Sequence, residues 1–149
     1  MDVIQLKKDL LSKSNSIVIN KLDEINLSLS SINESISTDT KSTAGDKHET
    51  FKALMHHEQE KLNHQKGELL KQLTLLNQIK PIELKSISIG AIIKTNLRLF
   101  FIGLPVGIIQ VNQIEYFSVS INSPIIKAMN ISQTYFEFNG LKYQILEIL

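Results

Sequence analysis

Apolar residues recur at every third or fourth position through the first part of the chain, which is the spacing of one face of a helix. The residues between them are mostly Ser, Asn, Asp, Glu and Lys, so only one face can be buried. From Val18 onward the spacing alternates between four and three, the heptad pattern of a coiled coil. This stripe consists of Leu11, Val18, Leu22, Ile25, Leu29, Ile32 and Ile36, with the polar residue Asn15 between the first two.

A second apolar stripe follows and can pair with the first. The segment between them, Ser37 to Gly45, is polar, contains several Thr and ends in Gly, which favours a connector over a helix. The two stripes predict an antiparallel coiled-coil hairpin over residues 1–80, with its tip near residues 37–49. A first helix of about 35 residues would be roughly 50 Å long, far more than a domain of this size needs for its own core. The second stripe consists of Phe51, Leu54, Met55, Leu62, Leu69, Leu73, Leu76 and Ile79, diluted by Glu58, Gln65 and Gln72.

Residues 81–149 have the pattern of a small β-rich domain. Asn139-Gly140 predicts a tight hairpin turn, because both central positions of a type I′ turn need positive φ. Ser123 and Pro124 suit the start of a short helix that runs to Met129. The predicted fold class is therefore α+β. The predicted strands are Ile89–Thr95, Leu97–Ile102, Val106–Val111 and Tyr116–Ile121, followed by a hairpin of residues 135–138 and 141–145.

Charge and cysteine content exclude several kinds of function. Lys and Arg number 16 against 15 Asp and Glu, and neither half is basic, which disfavours free-standing duplex nucleic-acid binding. Without cysteine the chain has no disulfide, thiolate zinc site or cysteine nucleophile, which fits a reducing compartment. The charged N-terminus lacks a signal-peptide core, and the most apolar stretch, Leu97 to Ile109, is shorter than the roughly 20 residues that span a bilayer. We expect a cytoplasmic protein without membrane segments.

Candidate chemistry lies at the start of the predicted second helix, in Gly45-Asp46-Lys47-His48-Glu49. Asp followed three residues later by Glu is a capping-box pattern, in which both carboxylates accept backbone N–H bonds. The same two carboxylates, Asp46 and Glu49, could instead hold a divalent cation. Because Mg²⁺ prefers six oxygen ligands, a partner would then have to supply the others. Both interpretations stay open on the sequence alone.

The histidines offer a weaker candidate for metal binding. All four lie in the predicted second helix, and His57 and His64 share one face at seven-residue spacing. A zinc site would need further ligands from the first helix, which offers carboxylates and no His. Solvated surface histidines are the more common outcome.

Several short motifs, in order along the chain, are similar to those of one protein family, the GreA/GreB transcript cleavage factors of bacterial RNA polymerase. A helical hairpin with Gly-Asp-x-x-Glu at its tip precedes a β-rich domain that contains Asn-Ser-Pro-Ile-x-x-Ala and ends in Tyr-x-Ile-x-x-Ile. The matching residues are Gly45, Asp46 and Glu49; Ile89, Gly90 and Ala91; Asn122, Ser123, Pro124, Ile125 and Ala128; and Tyr143, Ile145 and Ile148. Their order and spacing cover nearly the whole chain.

The resemblance implies a fold, a partner and a role for named residues. The second domain would be FKBP-like and would dock on the polymerase rim through Ser123, Pro124 and Ile125. The coiled coil would enter the secondary channel as a monomer, contacting nucleic acid only inside the complex. Asp46 and Glu49 would help to place a Mg²⁺ shared with the polymerase, which activates water to hydrolyse backtracked RNA. The chain would then stimulate the polymerase's own nuclease activity rather than act as a stand-alone enzyme.

The tip departs from the family pattern, and this keeps other functions open. Thr50, Lys52 and Ala53 stand where the family usually has Asn, Glu and Tyr. A factor of the same architecture that enters the channel without cleaving, and modulates or inhibits polymerase, is the main alternative. A prolyl isomerase suggested by the FKBP-like domain and a plain coiled-coil adaptor that self-associates are two further alternatives, from other classes of protein.

Overall fold

A computed structural model of the chain describes residues 2–39, 45–132 and 134–149, without the side chains of Asp39, Gly45 and Asp46. Two long helices come first and are followed by a six-stranded sheet that is interrupted by a third helix. The predicted α+β class is therefore confirmed. The helices and strands form two compact units, one of residues 1–17 and 74–149 and one of residues 18–73.

The helices are α1 (Val3–Asp39), α2 (Gly45–Gln78) and α3 (Pro124–Ser132). Both predicted long helices are present, but the predicted connector is shorter than expected, because α1 continues through Ser37 and Thr38. Most of that connector, residues 40–44, lies outside the described residues. In the described parts of the chain, no helix combines the length and apolar character that a membrane crossing requires.

Within residues 18–73 the two long helices run antiparallel. The Gln59 side-chain amide donates to the Asn33 side-chain oxygen at 2.8 Å, and Ile25 and Leu69 line one groove. Residue numbers therefore increase along α1 in the direction in which they decrease along α2. Val18, Leu22 and Leu29 are buried in this unit, as the first stripe predicts. The prediction that the second stripe is buried is wrong at Leu54, which is 59% exposed. The alternating spacing of four and three runs through Phe51, Met55, Glu58 and Leu62, so Leu54 lies beside the seam and not in it.

The strands are β1 (Ile92–Thr95), β2 (Leu99–Ile102), β3 (Gly107–Val111), β4 (Ile114–Val119), β5 (Tyr135–Phe138) and β6 (Leu141–Ile148). They form one sheet in the order β3-β4-β2-β1-β6-β5. Every neighbouring pair is antiparallel except β2 and β4, which are parallel. The parallel pair places β3 and β4 beyond β2, so the sheet is not a simple meander.

Positive backbone φ angles fix where the strands begin and end. Asn139 has φ 51° and Gly140 has φ 75°, which confirms the predicted turn between β5 and β6. Asn112 and Gln113 adopt φ 50° and 66°, so β3 and β4 are joined by a similar two-residue turn. This turn lets β4 begin at Ile114, ahead of the predicted start at Tyr116. Likewise β1 begins at Ile92 and not at Ile89, since the intervening Gly90 has φ 92°.

The two faces of the sheet bury different helices. On one face α3 packs against residues of β1, β2, β5 and β6, and its Ile126 and Met129 are fully buried there. On the other face the first turns of α1 pack against β1 to β4, and Leu10 is fully buried. This second cluster comprises Leu6, Leu10, Ile92, Phe101, Ile109, Val111 and Tyr116. The start of the first helix is therefore part of the sheet's core.

Polar contacts reinforce the position of α1 on the sheet. Lys7 is 1% exposed, and its Nζ donates to the backbone oxygen of Ile82 at 2.5 Å. Burial lowers the pKa of the Lys7 ammonium, and the nearby Glu83 carboxylate opposes that shift. Further along α1, the Lys13 ammonium donates to the backbone oxygen of Gln110 on the edge strand β3. These bonds satisfy main-chain oxygens that neither a helix nor the ladder of the sheet uses.

Leu10→Ala tests whether the start of α1 contributes to the stability of the sheet unit. Removing this fully buried side chain leaves a cavity, and we expect it to lower the free energy of unfolding by about 2–5 kcal/mol. Leu27→Ala, on the same helix at a residue 70% exposed, should change that free energy by less than about 0.5 kcal/mol. Urea denaturation followed by circular dichroism measures both. Equal effects would show that α1 does not share the sheet's core.

Lys7→Met tests the buried ammonium through the pH dependence of stability. Because the pKa of Lys7 is lower in the folded chain than its ordinary value of 10.5, the unfolded chain binds more protons between the two values. The wild type should therefore gain stability relative to Lys7→Met as the pH rises toward 10.5. Chemical denaturation of both proteins from pH 7 upward measures the difference. A constant difference across this range would contradict a lowered pKa.

Candidate metal-directing site at the start of the second long helix

The acidic pair predicted from the sequence lies at the beginning of α2. The helix starts at Gly45, so the backbone of Asp46 is inside the first turn and not one position before it, as the capping-box interpretation assumed. The N–H groups of a first turn lack helical partners and carry partial positive charge, which favours carboxylates at both Asp46 and Glu49. The Asp46 side chain is outside the described side chains, so its cap or metal role remains a prediction.

Glu49 is exposed, and among the described residues its carboxylate forms no ion pair with the lysine one turn further along the helix. Lys52 stands one turn further on, the spacing at which a Glu–Lys pair can form. Among the described residues, the ion pair that does form on α2 joins Lys71 to Glu68 at 3.1 Å, and none joins Lys52 to Glu49. Glu49 is therefore available to a cation or to a partner.

A shallow apolar depression lies beside Glu49 on α2. It has a volume of about 350 Å³ and is lined by Lys47, Thr50, Phe51 and Leu54. These four positions follow the three- and four-residue spacing of one helical face. Exposed Leu54 and half-buried Phe51 thus give the start of α2 an apolar surface next to a carboxylate. Sequence reasoning missed this surface because it placed both side chains in the seam between the helices.

The histidines form no metal site in the described part of the chain. His57 and His64 share a face of α2, as their spacing predicts, and both are exposed. In the described ranges, no group of three or more His, Cys, Asp or Glu residues has the proximity needed to hold a metal ion. A site built from Asp46 and Glu49 would have only two protein ligands, so it would depend on a partner for the remaining oxygens.

The residues predicted to dock on a partner lie where α3 begins. Ser123 is half-buried, and its backbone oxygen accepts the N–H of Lys127 at 3.0 Å, which is the first bond of the helix. Pro124 occupies the first helical position and is exposed. Ile125 is 9% exposed and packs in the core between α3 and the sheet. Of these three residues, Pro124 presents the most surface to a partner.

Comparison of the chain with protein-family models, with curated proteins and with solved structures finds no match in any of the three. The resemblance to the Gre factors therefore rests on the short motifs in the sequence. The geometry adds that Glu49 is exposed near the beginning of a 34-residue helix. It also adds that the motif Asn-Ser-Pro-Ile begins a helix packed on a sheet.

Glu49→Gln tests whether the carboxylate is needed for folding. Because Glu49 is exposed and unpaired with Lys52, we expect this substitution to change the free energy of unfolding by less than about 0.5 kcal/mol. Glu60→Gln, at another exposed position of α2, is the matched control and should behave alike. Thermal denaturation measures both. A loss well above that of the control would indicate that Glu49 stabilises the helix, as a capping residue does.

Proposed function

We propose that this chain is a secondary-channel factor of RNA polymerase, of the Gre type, which stimulates cleavage of backtracked RNA. The observation that carries the proposal is the exposed Glu49 carboxylate, which has no ion pair among the described residues and lies near the start of a long helix that runs antiparallel to another of similar length. A helix of this length exceeds what burial of its own apolar stripe requires. A long helical hairpin of this kind could enter a deep channel in its partner, which would explain the length.

The chemistry assigned to Asp46 and Glu49 is to complete a metal site whose other ligands belong to the polymerase. Asp46 and Glu49 provide two carboxylates, and the polymerase provides the remaining ligands, the substrate and its own resident metal. Asp46 and Glu49 would help to hold a second Mg²⁺, which would supply an acidified water and stabilise charge on the phosphate. The role of the chain is thus to bring and orient negative charge, and the phosphodiester bond is broken in the polymerase active centre.

The sheet unit is proposed to dock on the outside of the polymerase. Its α3 packed on a mostly antiparallel sheet agrees with an FKBP-like domain, and Pro124 offers an exposed contact at the start of that helix. Prolyl isomerase activity is not proposed, because fold analogy alone does not confer it. A polymerase partner also implies a cytoplasmic, monomeric protein that meets nucleic acid only within the complex.

A non-cleaving regulator of the same architecture is the second candidate. The observation that favours it is Lys52, which is half-buried on α2 and has no ion pair with Glu49. A positive charge at a position where the family usually has Glu would weaken the attraction of the site for Mg²⁺ and strengthen its attraction for a phosphate. Such a chain would occupy the channel and alter polymerase without directing hydrolysis.

Stalled bacterial elongation complexes with backtracked RNA separate the two candidates. Wild-type protein should shorten the RNA from its 3′ end in the presence of Mg²⁺. Asp46→Asn and Glu49→Gln should each reduce the cleavage rate by at least about 100-fold, since losing one metal-directing group costs on the order of 3 kcal/mol in the transition state. Glu60→Gln should leave the rate unchanged. The readout is the length of end-labelled RNA on a denaturing gel.

Binding to the polymerase must be measured beside cleavage. The tip variants should bind with unchanged affinity, because the isosteric amides preserve shape. Binding by the wild type without any shortening of RNA would support the non-cleaving regulator. Absence of binding would contradict both candidates. Concentration-dependent self-association in sedimentation would then favour the coiled-coil adaptor.

A further inference from the structure

A cavity in the sheet unit lies beside the start of α1, on the face of the sheet that this helix covers. Its volume is about 320 Å³, at the lower end of the range typical of small-molecule sites. The walls are mostly apolar and come from α1, four strands and the last residue of the chain. The lining residues are Leu6, Ile92, Lys94, Leu99, Ile114, Tyr116, Glu147 and Leu149.

The floor of the cavity is preformed. Leu6, Ile92 and Tyr116 are all at least nine-tenths buried and belong to the cluster that holds α1 on the sheet. Side chains fixed in this way lose little further freedom when a ligand binds, which lowers the cost of association. An apolar group of a ligand would therefore meet a rigid apolar surface.

Tyr116 gives the floor a polar group. The residue is 4% exposed, and within the described chain its hydroxyl makes no hydrogen bond. The hydroxyl oxygen is not one of the buried atoms that lack a partner, so it is open to solvent at the cavity, where a ligand atom can reach it. Burial also raises the pKa of this hydroxyl, so it stays protonated near neutral pH and can donate. A ligand oxygen is the kind of atom that this group can bind.

The side chains at the rim carry one positive and one negative charge. Lys94 on β1 lies directly opposite Glu147 on β6 in the antiparallel register. Both are exposed, and they form no ion pair with each other in the described structure. A ligand with one charge would be attracted by one of them and repelled by the other. A zwitterion can pair with both.

We propose that this cavity binds a free amino acid with an apolar side chain. The side chain would enter among Leu6, Ile92 and Leu99, and the Tyr116 hydroxyl would donate to a carboxylate oxygen. The ammonium and carboxylate groups of the ligand would face Glu147 and Lys94. The proposal is independent of polymerase binding, because every group in it belongs to residues 1–17 and 74–149.

L-Leucine is the probe that tests the proposal, with the full chain labelled with ¹³C in its three tyrosines. The ring signals of Tyr116 should shift with saturation as L-leucine is added, and those of Tyr135 and Tyr143 should not. The controls are 4-methylpentanoate and 3-methylbutylamine, which keep the branched chain and remove one charge each. Both should bind at least about twofold to fivefold more weakly, the range expected for one exposed ion pair.

Variants on the rim and the floor show which groups bind the probe, measured by calorimetry. Lys94→Met and Glu147→Gln should each weaken L-leucine binding about twofold to fivefold, and Tyr116→Phe about threefold to tenfold. Lys142→Met and Glu137→Gln change the neighbouring opposed pair, which does not line the cavity, and should have no effect. A lack of saturable shift, equal binding of 4-methylpentanoate, or rim variants that bind like the wild type would each overturn the proposal.

Discussion

The packing of the first turns of α1 against one face of the sheet is the interaction on which the larger unit depends. The four strands β3, β4, β2 and β1 turn apolar side chains toward this face, and Leu6 and Leu10 of α1 cover them. On the remaining two strands the same face carries charged residues, such as the opposed pair Glu137 and Lys142, which can face water. The helix is therefore needed where the sheet is apolar and absent where it is polar.

One continuous helix thus serves two purposes. Its part up to Ile17 belongs to the sheet unit, and its remainder belongs to the antiparallel helical unit of residues 18–73. The helical unit is sparsely buried: Val18, Leu22 and Leu29 are its buried apolar residues among those described, and they all lie on α1. Such a unit is long but buries few apolar side chains. The proposed function uses that property, because a long, thin element can present Glu49 to a site that a compact domain could not enter.

Local signals in the sequence predict local structure well. Asn139-Gly140 specifies its turn because few residues tolerate positive φ, and Ser123-Pro124 specifies the start of α3 because proline fixes φ and needs no N–H partner there. Non-local pairing leaves no comparable signal. The parallel contact of β2 with β4 and the burial of Leu6 and Leu10 on the sheet join distant segments, so the periodicity of either segment alone does not reveal them. For the same reason the cavity at Tyr116 follows from the fold and not from any motif.

The central claim, that the start of α2 reaches the catalytic centre of RNA polymerase, can be tested by tethered cleavage. The chain has no cysteine, so Glu49→Cys creates a unique attachment point for an iron chelate that generates hydroxyl radicals. In a complex with bacterial polymerase, the chelate at position 49 should cut the polymerase chains around the catalytic metal and the 3′ end of the RNA. The same chelate at Glu60→Cys, about 16 Å further along the helix, should cut a different and more peripheral set of sites. Cuts confined to the polymerase surface, or the same cuts from both positions, would contradict the claim.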